Sequence, residues 1–260
     1  LERTTVRSSN PVMSSLTESS NRQSSGYGDD SARPMTVDDV VTKTGITLGI
    51  IIVAAVINFY LGTVNPGIAM ALTLVGGIGG FITVLVASFG RKWGSAAVTL
   101  IYAVFEGLFV GGFSLMFTNV NFQGEGGTAI IGQAIIGTIG VFIGMLIVYK
   151  TGAVKVTPKF TKILFGLVAG VAVMALVNFL GAIFFDFNPL RDGGPIAIIF
   201  SLVCIVLGAL SFLTDFDQAD RMIRAGAPAK QAWGVALGLA VTLVWLYTEI
   251  LRLLSYFQRD

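Results

Sequence analysis

Histidine is absent from this 260-residue chain, and cysteine occurs once, at Cys204. Without imidazole there is no histidine metal site, no Ser-His or Cys-His catalysis and no histidine switch near neutral pH. Any proton sensing must use carboxylates. A single thiol cannot form an intramolecular disulfide, so cysteine usage leaves the redox compartment open. Cys204 lies in an apolar run and reads as a buried structural thiol. Charge is also scarce: 12% of residues are Asp, Glu, Lys or Arg, against ~25% in a soluble domain. That is too little to coat a water-facing surface of this size. The net charge of +2 is too small to suggest a nucleic-acid partner.

What the chain has instead is hydrocarbon. Hydrophobic residues make up 54% of it, and the mean hydropathy is +0.80. Residues 1–43 stand apart, because Ser14–Ser31 is rich in Ser, Asn, Gln, Gly and Asp. Such a stretch buries too little apolar area to offset its ordering entropy, so 1–43 is expected to be a disordered cytoplasmic tail. It lacks an apolar core after its basic residues and does not read as a signal peptide.

Seven apolar runs follow: Gly45–Val64, Gly67–Phe89, Ser95–Phe117, Thr128–Tyr149, Phe160–Phe185, Pro195–Leu213 and Ala232–Phe257. Each is near the ~20 residues that cross ~30 Å of hydrocarbon. Backbone groups in lipid need partners within their own segment, so runs this long are helices. Residues 44–260 therefore read as an all-α membrane protein, a seven-transmembrane helix bundle. The short break at Asn65-Pro66 suits a tight hairpin.

Lysine and arginine set the expected orientation. With the tail inside, Arg91, Lys92, Lys150, Lys155, Lys159, Lys162, Arg221, Arg224 and Lys230 all face inward, whereas the outward side receives only Arg191 and Arg259. The positive-inside rule then puts the N-terminus in the cytoplasm of a cell membrane and the C-terminus outside. Six glycine pairs, Gly45/Gly49, Gly76/Gly80, Gly107/Gly111, Gly140/Gly144, Gly166/Gly170 and Gly234/Gly238, are four residues apart, a spacing that lets helix backbones approach closely. The Gly76–Gly80 cluster sits inside a span with no strand before it, so it is not a nucleotide loop.

The informative residues are the charges inside the spans, because a charge at the bilayer centre costs at least ~2.5–3.5 kcal/mol. Glu106 lies near the middle of the third run. Glu249 is deep in the seventh, three residues before Arg252. Asp215, Asp217 and Asp220 cluster where the sixth run meets the cytoplasm. Glu106 is either a structural protonated carboxyl or an ion or proton site. Glu249 and Arg252 share a helix face and can pair; alternatively Arg252 snorkels outward and leaves Glu249 free. Aspartates at a helix C-terminus oppose the macrodipole, and Arg221, Arg224 or Arg91 could compensate them. Carboxylates shared between helices six and seven would repel when both are ionised, so a shared proton could close the bundle. Oxygen ligands of this kind suit a hard cation such as calcium, or protons.

Three stretches, Tyr102-Ala103-Val104-Phe105-Glu106-Gly107-Leu108, Asp215-Phe216-Asp217 and Trp245-Leu246-Tyr247-Thr248-Glu249-Ile250-Leu251-Arg252-Leu253-Leu254, resemble the Bax inhibitor-1/YccA family in its bacterial branch. The resemblance covers residues 44–260 and leaves out the tail. It implies a seven-helix fold with the last helix central, and a pH-sensitive calcium leak gated by one acid on helix six and one on helix seven. Asp217 matches the first acid, with Asp215 as a substitute, and Glu249 matches the second. Glu249 stands where calcium-leak members typically have Asp, and the segment between Asp217 and Glu249 is longer than theirs, which implies a wider separation. No resident cofactor or catalytic activity is expected; calcium would be cargo. Two other readings remain: a proton-coupled small-solute carrier using Glu106 and Glu249, and a non-transporting factor that binds other membrane proteins.

Overall fold

The computed structural model describes residues 33–90, 94–118 and 127–257. The tail up to residue 32, with its expected disorder, and Arg91, the candidate partner of the aspartates, lie outside the described residues. Seven helices long and apolar enough to cross a membrane follow one another: α1 (Val37–Val64), α2 (Pro66–Phe89), α3 (Ala96–Thr118), α4 (Gly127–Thr151), α5 (Pro158–Phe185), α6 (Pro195–Arg224) and α7 (Ala232–Phe257). A 3₁₀ turn, Ala229–Gln231, leads into α7. No strand occurs among the described residues.

Local chemistry sets the helix ends. Asn65 closes α1 and opens α2, its side chain accepting the Ile68 N–H at 3.2 Å. Pro66 occupies the first turn of α2, where a missing N–H costs nothing. Thr157 and Pro158 start α5 in the same way, with Thr157 Oγ1 accepting from the Phe160 N–H at 3.1 Å.

Two boundaries depart from the apolar runs by more than two residues. α1 begins at Val37 rather than Gly45, so residues 37–43 belong to a helix although their composition groups them with the tail. A reciprocal capping box explains the early start: Thr36 Oγ1 accepts the Asp39 N–H at 3.2 Å, and the Asp39 carboxylate accepts the Thr36 N–H at 2.9 Å. α6 continues from Leu213 to Arg224. Its last turns are polar, and Asp217–Arg221 and Asp220–Arg224 ion pairs of 2.7 and 2.8 Å, each four residues apart, carry the helix onward. Hydropathy measures the depth of the hydrocarbon; it does not measure the length of the helix.

α7 is the axis of the bundle and packs against α1, α3, α4 and α6. Of its apolar window 72% is buried, against 11% for α5, which packs chiefly on α6. Among α1, α2 and α3 the packing is close, and Asn58, fully buried, ties them together. Its amide donates to the Leu108 carbonyl at 2.6 Å and to Thr73 Oγ1 at 3.1 Å.

Candidate functional site

The α6–α7 seam carries most of the intramembrane charge. α7 presents Glu249 and Arg252 one turn apart, both buried. Arg252 Nη1 donates to Glu249 Oε1 at 2.5 Å, and the guanidinium lies 5.6 Å from the centroid of the Phe113 ring on α3. Of the two sequence readings the structure therefore has the paired one, with no outward reach by Arg252. The second carboxylate oxygen, Oε2, is buried without a hydrogen-bond partner. Arg191, from the α5–α6 connection, and Cys204 lie within electrostatic reach of this pair.

Nearer the end that carries the α6–α7 turn, Asp215 on α6 faces Thr242 on α7. The Thr242 hydroxyl donates to Asp215 Oδ2 at 2.8 Å. Asp215 is not at a helix terminus, as the apolar run implied, because α6 continues to Arg224. Asp217 and Asp220 follow toward the helix end, held by Arg221 and Arg224, and the Tyr149 hydroxyl of α4 lies 3.4 Å from Asp220 Oδ2. These arginines supply the compensation that carboxylates near a C-terminus need.

The contact between Asp215 and Thr242 fixes the register of the two antiparallel helices. Glu249 is two turns beyond Thr242, and Asp217 is half a turn past Asp215 in the opposite direction. At 1.5 Å per residue the two acids are about 13 Å apart along the seam. Asp217 and Glu249 are thus not brought together, and the fully buried Phe212 and Leu246 lie between their levels. The register fixed by the Asp215–Thr242 contact accounts for the separation. The fourth acid, Glu106, is on neither face of this seam. It is half-buried on α3, hydrogen bonded to Tyr102 and set against Gly80 of α2.

Other polar contacts carry no signal strong enough to single out in advance. Ser114 Oγ on α3 and Tyr247 OH on α7 are 2.7 Å apart, and Tyr247 belongs to the same Trp245–Leu254 run as Glu249. This pair forms part of the floor of a 460 Å³ cavity between α1 and α4, whose walls include Ile51, Ala55, Ile131 and Ile135. The lining is almost wholly apolar. No group of three or more Cys, Asp or Glu side chains is arranged to hold a metal ion among the described residues. Cys204 is buried and free.

A family model described as Bax inhibitor 1 like matches residues 10–259. The match reaches into the polar N-terminal stretch that the motif resemblance left out. No curated protein matches the chain.

Proposed function

We propose that this chain, which belongs to the Bax inhibitor 1 like family, is a non-enzymatic cation leak pathway held closed, with calcium ions or protons as cargo. The observation that carries this reading is Glu249: a buried carboxylate with one oxygen on Arg252 and the other unpartnered. An ionised group inside a membrane span is costly and is a functional candidate by default. A carboxylate oxygen without a donor suits a hard cation. Arg252 then acts as a tethered cation that occupies the site when none is bound.

Along the seam the route would run from Asp220 and Asp217 past Asp215 to Glu249, interrupted by Phe212 and Leu246. The basic end, with Lys150, Lys155, Arg221, Arg224 and Lys230, would face the cytoplasm. A separation of about 13 Å argues against a proton shared by Asp217 and Glu249. The pH response would instead come from Asp215, whose protonation weakens its hold on Thr242 and loosens the seam. Acid would therefore open the path. The large cavity offers a polar solute little to bind, which disfavours the carrier reading.

Proteoliposomes loaded with a calcium dye test this. Calcium entry should rise as the pH falls. Arg252→Met should raise entry at neutral pH, and Glu249→Gln should lower it by about tenfold, the effect of removing one charge-assisted ligand. A wild-type protein that passes no calcium or protons at any pH would sink the proposal. If crosslinking also captured a stoichiometric membrane-protein partner, the non-transporting reading would take its place.

A further inference from the structure

Residues 33–43 lie across the turn that starts α7, and three hydrogen bonds join them to it. The Ala229 N–H donates to the Arg33 carbonyl at 2.8 Å, and the Met35 N–H donates to the Ala227 carbonyl at 2.7 Å. The Lys43 ammonium donates to the Ala229 carbonyl at 2.8 Å. The first two bonds make an isolated antiparallel bridge in which Pro34 faces Pro228. Flanking bonds of this type do not use the N–H of the central pair, so two prolines fit there without loss. Lacking that N–H, they also keep the ladder from widening on either side.

The contact is part of the core. Met35 is 2% exposed, Lys43 7% and Ala229 0%. The Lys43 ammonium also lies 5.7 Å from the centroid of the Trp233 ring in the first turn of α7. At the other end, Arg33 pairs with Asp39 at 2.6 and 2.9 Å, the same carboxylate that caps Thr36. Bridge, cap and lysine therefore form one unit, built into the first turns of α1.

What this unit holds is the start of the central helix. The α6–α7 connection passes through Gly226 in the left-handed region, φ 66°, a conformation open chiefly to glycine. Beyond it, α7 carries Thr242, Tyr247, Glu249 and Arg252, each engaged in a contact described above. We propose that residues 33–43 are a strap that fixes the start of α7, and that releasing the strap loosens the 3₁₀ turn and the first half of α7, from Ala229 to Thr242, while the far end of the seam around Cys204 stays packed. Any effect on ion flux rests on the leak reading; the effect on α7 does not.

The test uses the full chain in liposomes and the rate of labelling by an aqueous maleimide, read by peptide mass spectrometry. A thiol is placed in the strapped turn by Ala229→Cys or in the body of α7 by Ala236→Cys, both fully buried positions. Native Cys204, far along α6, is the internal control. Lys43→Met should speed labelling at both positions by about tenfold, the factor one charge-assisted hydrogen bond controls. Met35→Asp should do the same from the bridge end of the strap, and Lys43→Arg should stay close to the parent. Unchanged labelling at 229 in both release variants would overturn the strap. Faster labelling at 229 but not at 236 would show that the strap does not hold α7, and equal exposure of Cys204 would mean that the bundle had come apart; either result overturns the proposal. Released variants should also leak more. A parent and variants that never leak, with labelling that responds as expected, would leave the strap standing and remove the leak.

Discussion

Gly107 and Gly111 on α3 and Gly166 and Gly170 on α5 have the same spacing but opposite surroundings. A methyl group on Gly107 would meet the Ile51 carbonyl at 2.5 Å, and one on Gly111 would run into the backbone of Ala55. Gly76 on α2 is as tight, at 2.5 Å from the Phe105 carbonyl. These glycines let α1, α2 and α3 touch backbone to backbone. Around Gly166 and Gly170 nothing lies within 4 Å, and the same is true of Gly45, Gly49, Gly140 and Gly144. The comparison teaches that spacing licenses close approach but does not produce it. α1–α3 is a welded block with a buried Asn58 at its centre; α5 stands at the rim with its side chains toward lipid.

The largest effect that would break this contrast is expected from Gly111→Ala. The added methyl must force α1 and α3 apart, at a cost of about 3 kcal/mol, read as a lower melting temperature in detergent or as loss of folded protein. A melting curve like the parent's would mean that the block is looser than described. Asn58→Leu should come next. It removes the donor to Leu108 and Thr73 within the same block, and interhelical hydrogen bonds in membranes are worth about 1–2 kcal/mol. The loss should shrink when Thr73→Val is already present, because one partner is gone; full additivity would contradict the shared network. Gly170→Ala should be smallest, within about 0.5 kcal/mol and tending to stabilise, since alanine is the better helix former. A loss as large as that of Gly111→Ala would show that α5 has a packing partner in the membrane beyond this chain.

Much of the architecture could be read without coordinates. Length and hydropathy marked seven spans, Asn65-Pro66 marked the hairpin, and α7 matched its apolar run at both ends. The starts of α1 and the end of α6 were harder to read, because they depend on a capping box and on ion pairs that hydropathy ignores. The site was legible in its residues and not in its arrangement. Glu249 and Arg252 are three apart on one helix, so their pairing was open to inspection. Asp215 and Thr242 belong to different helices, and nothing local couples them. Thr242 looks like any other threonine in a span, and Lys43 like any other lysine of a tail.

The sequence by itself determined that this is a seven-helix membrane protein, because a run of apolar residues in lipid has no other way to satisfy its backbone. It also marked Glu106, Glu249 and Arg252 as ionisable groups inside spans, but it did not mark Lys43, which is buried outside every apolar run. Only the tertiary structure decided which of them meet. Register between helices is set by the summed packing of many side chains, and a shift of two turns, about 10 Å, leaves every local pattern unchanged while parting Asp217 from Glu249.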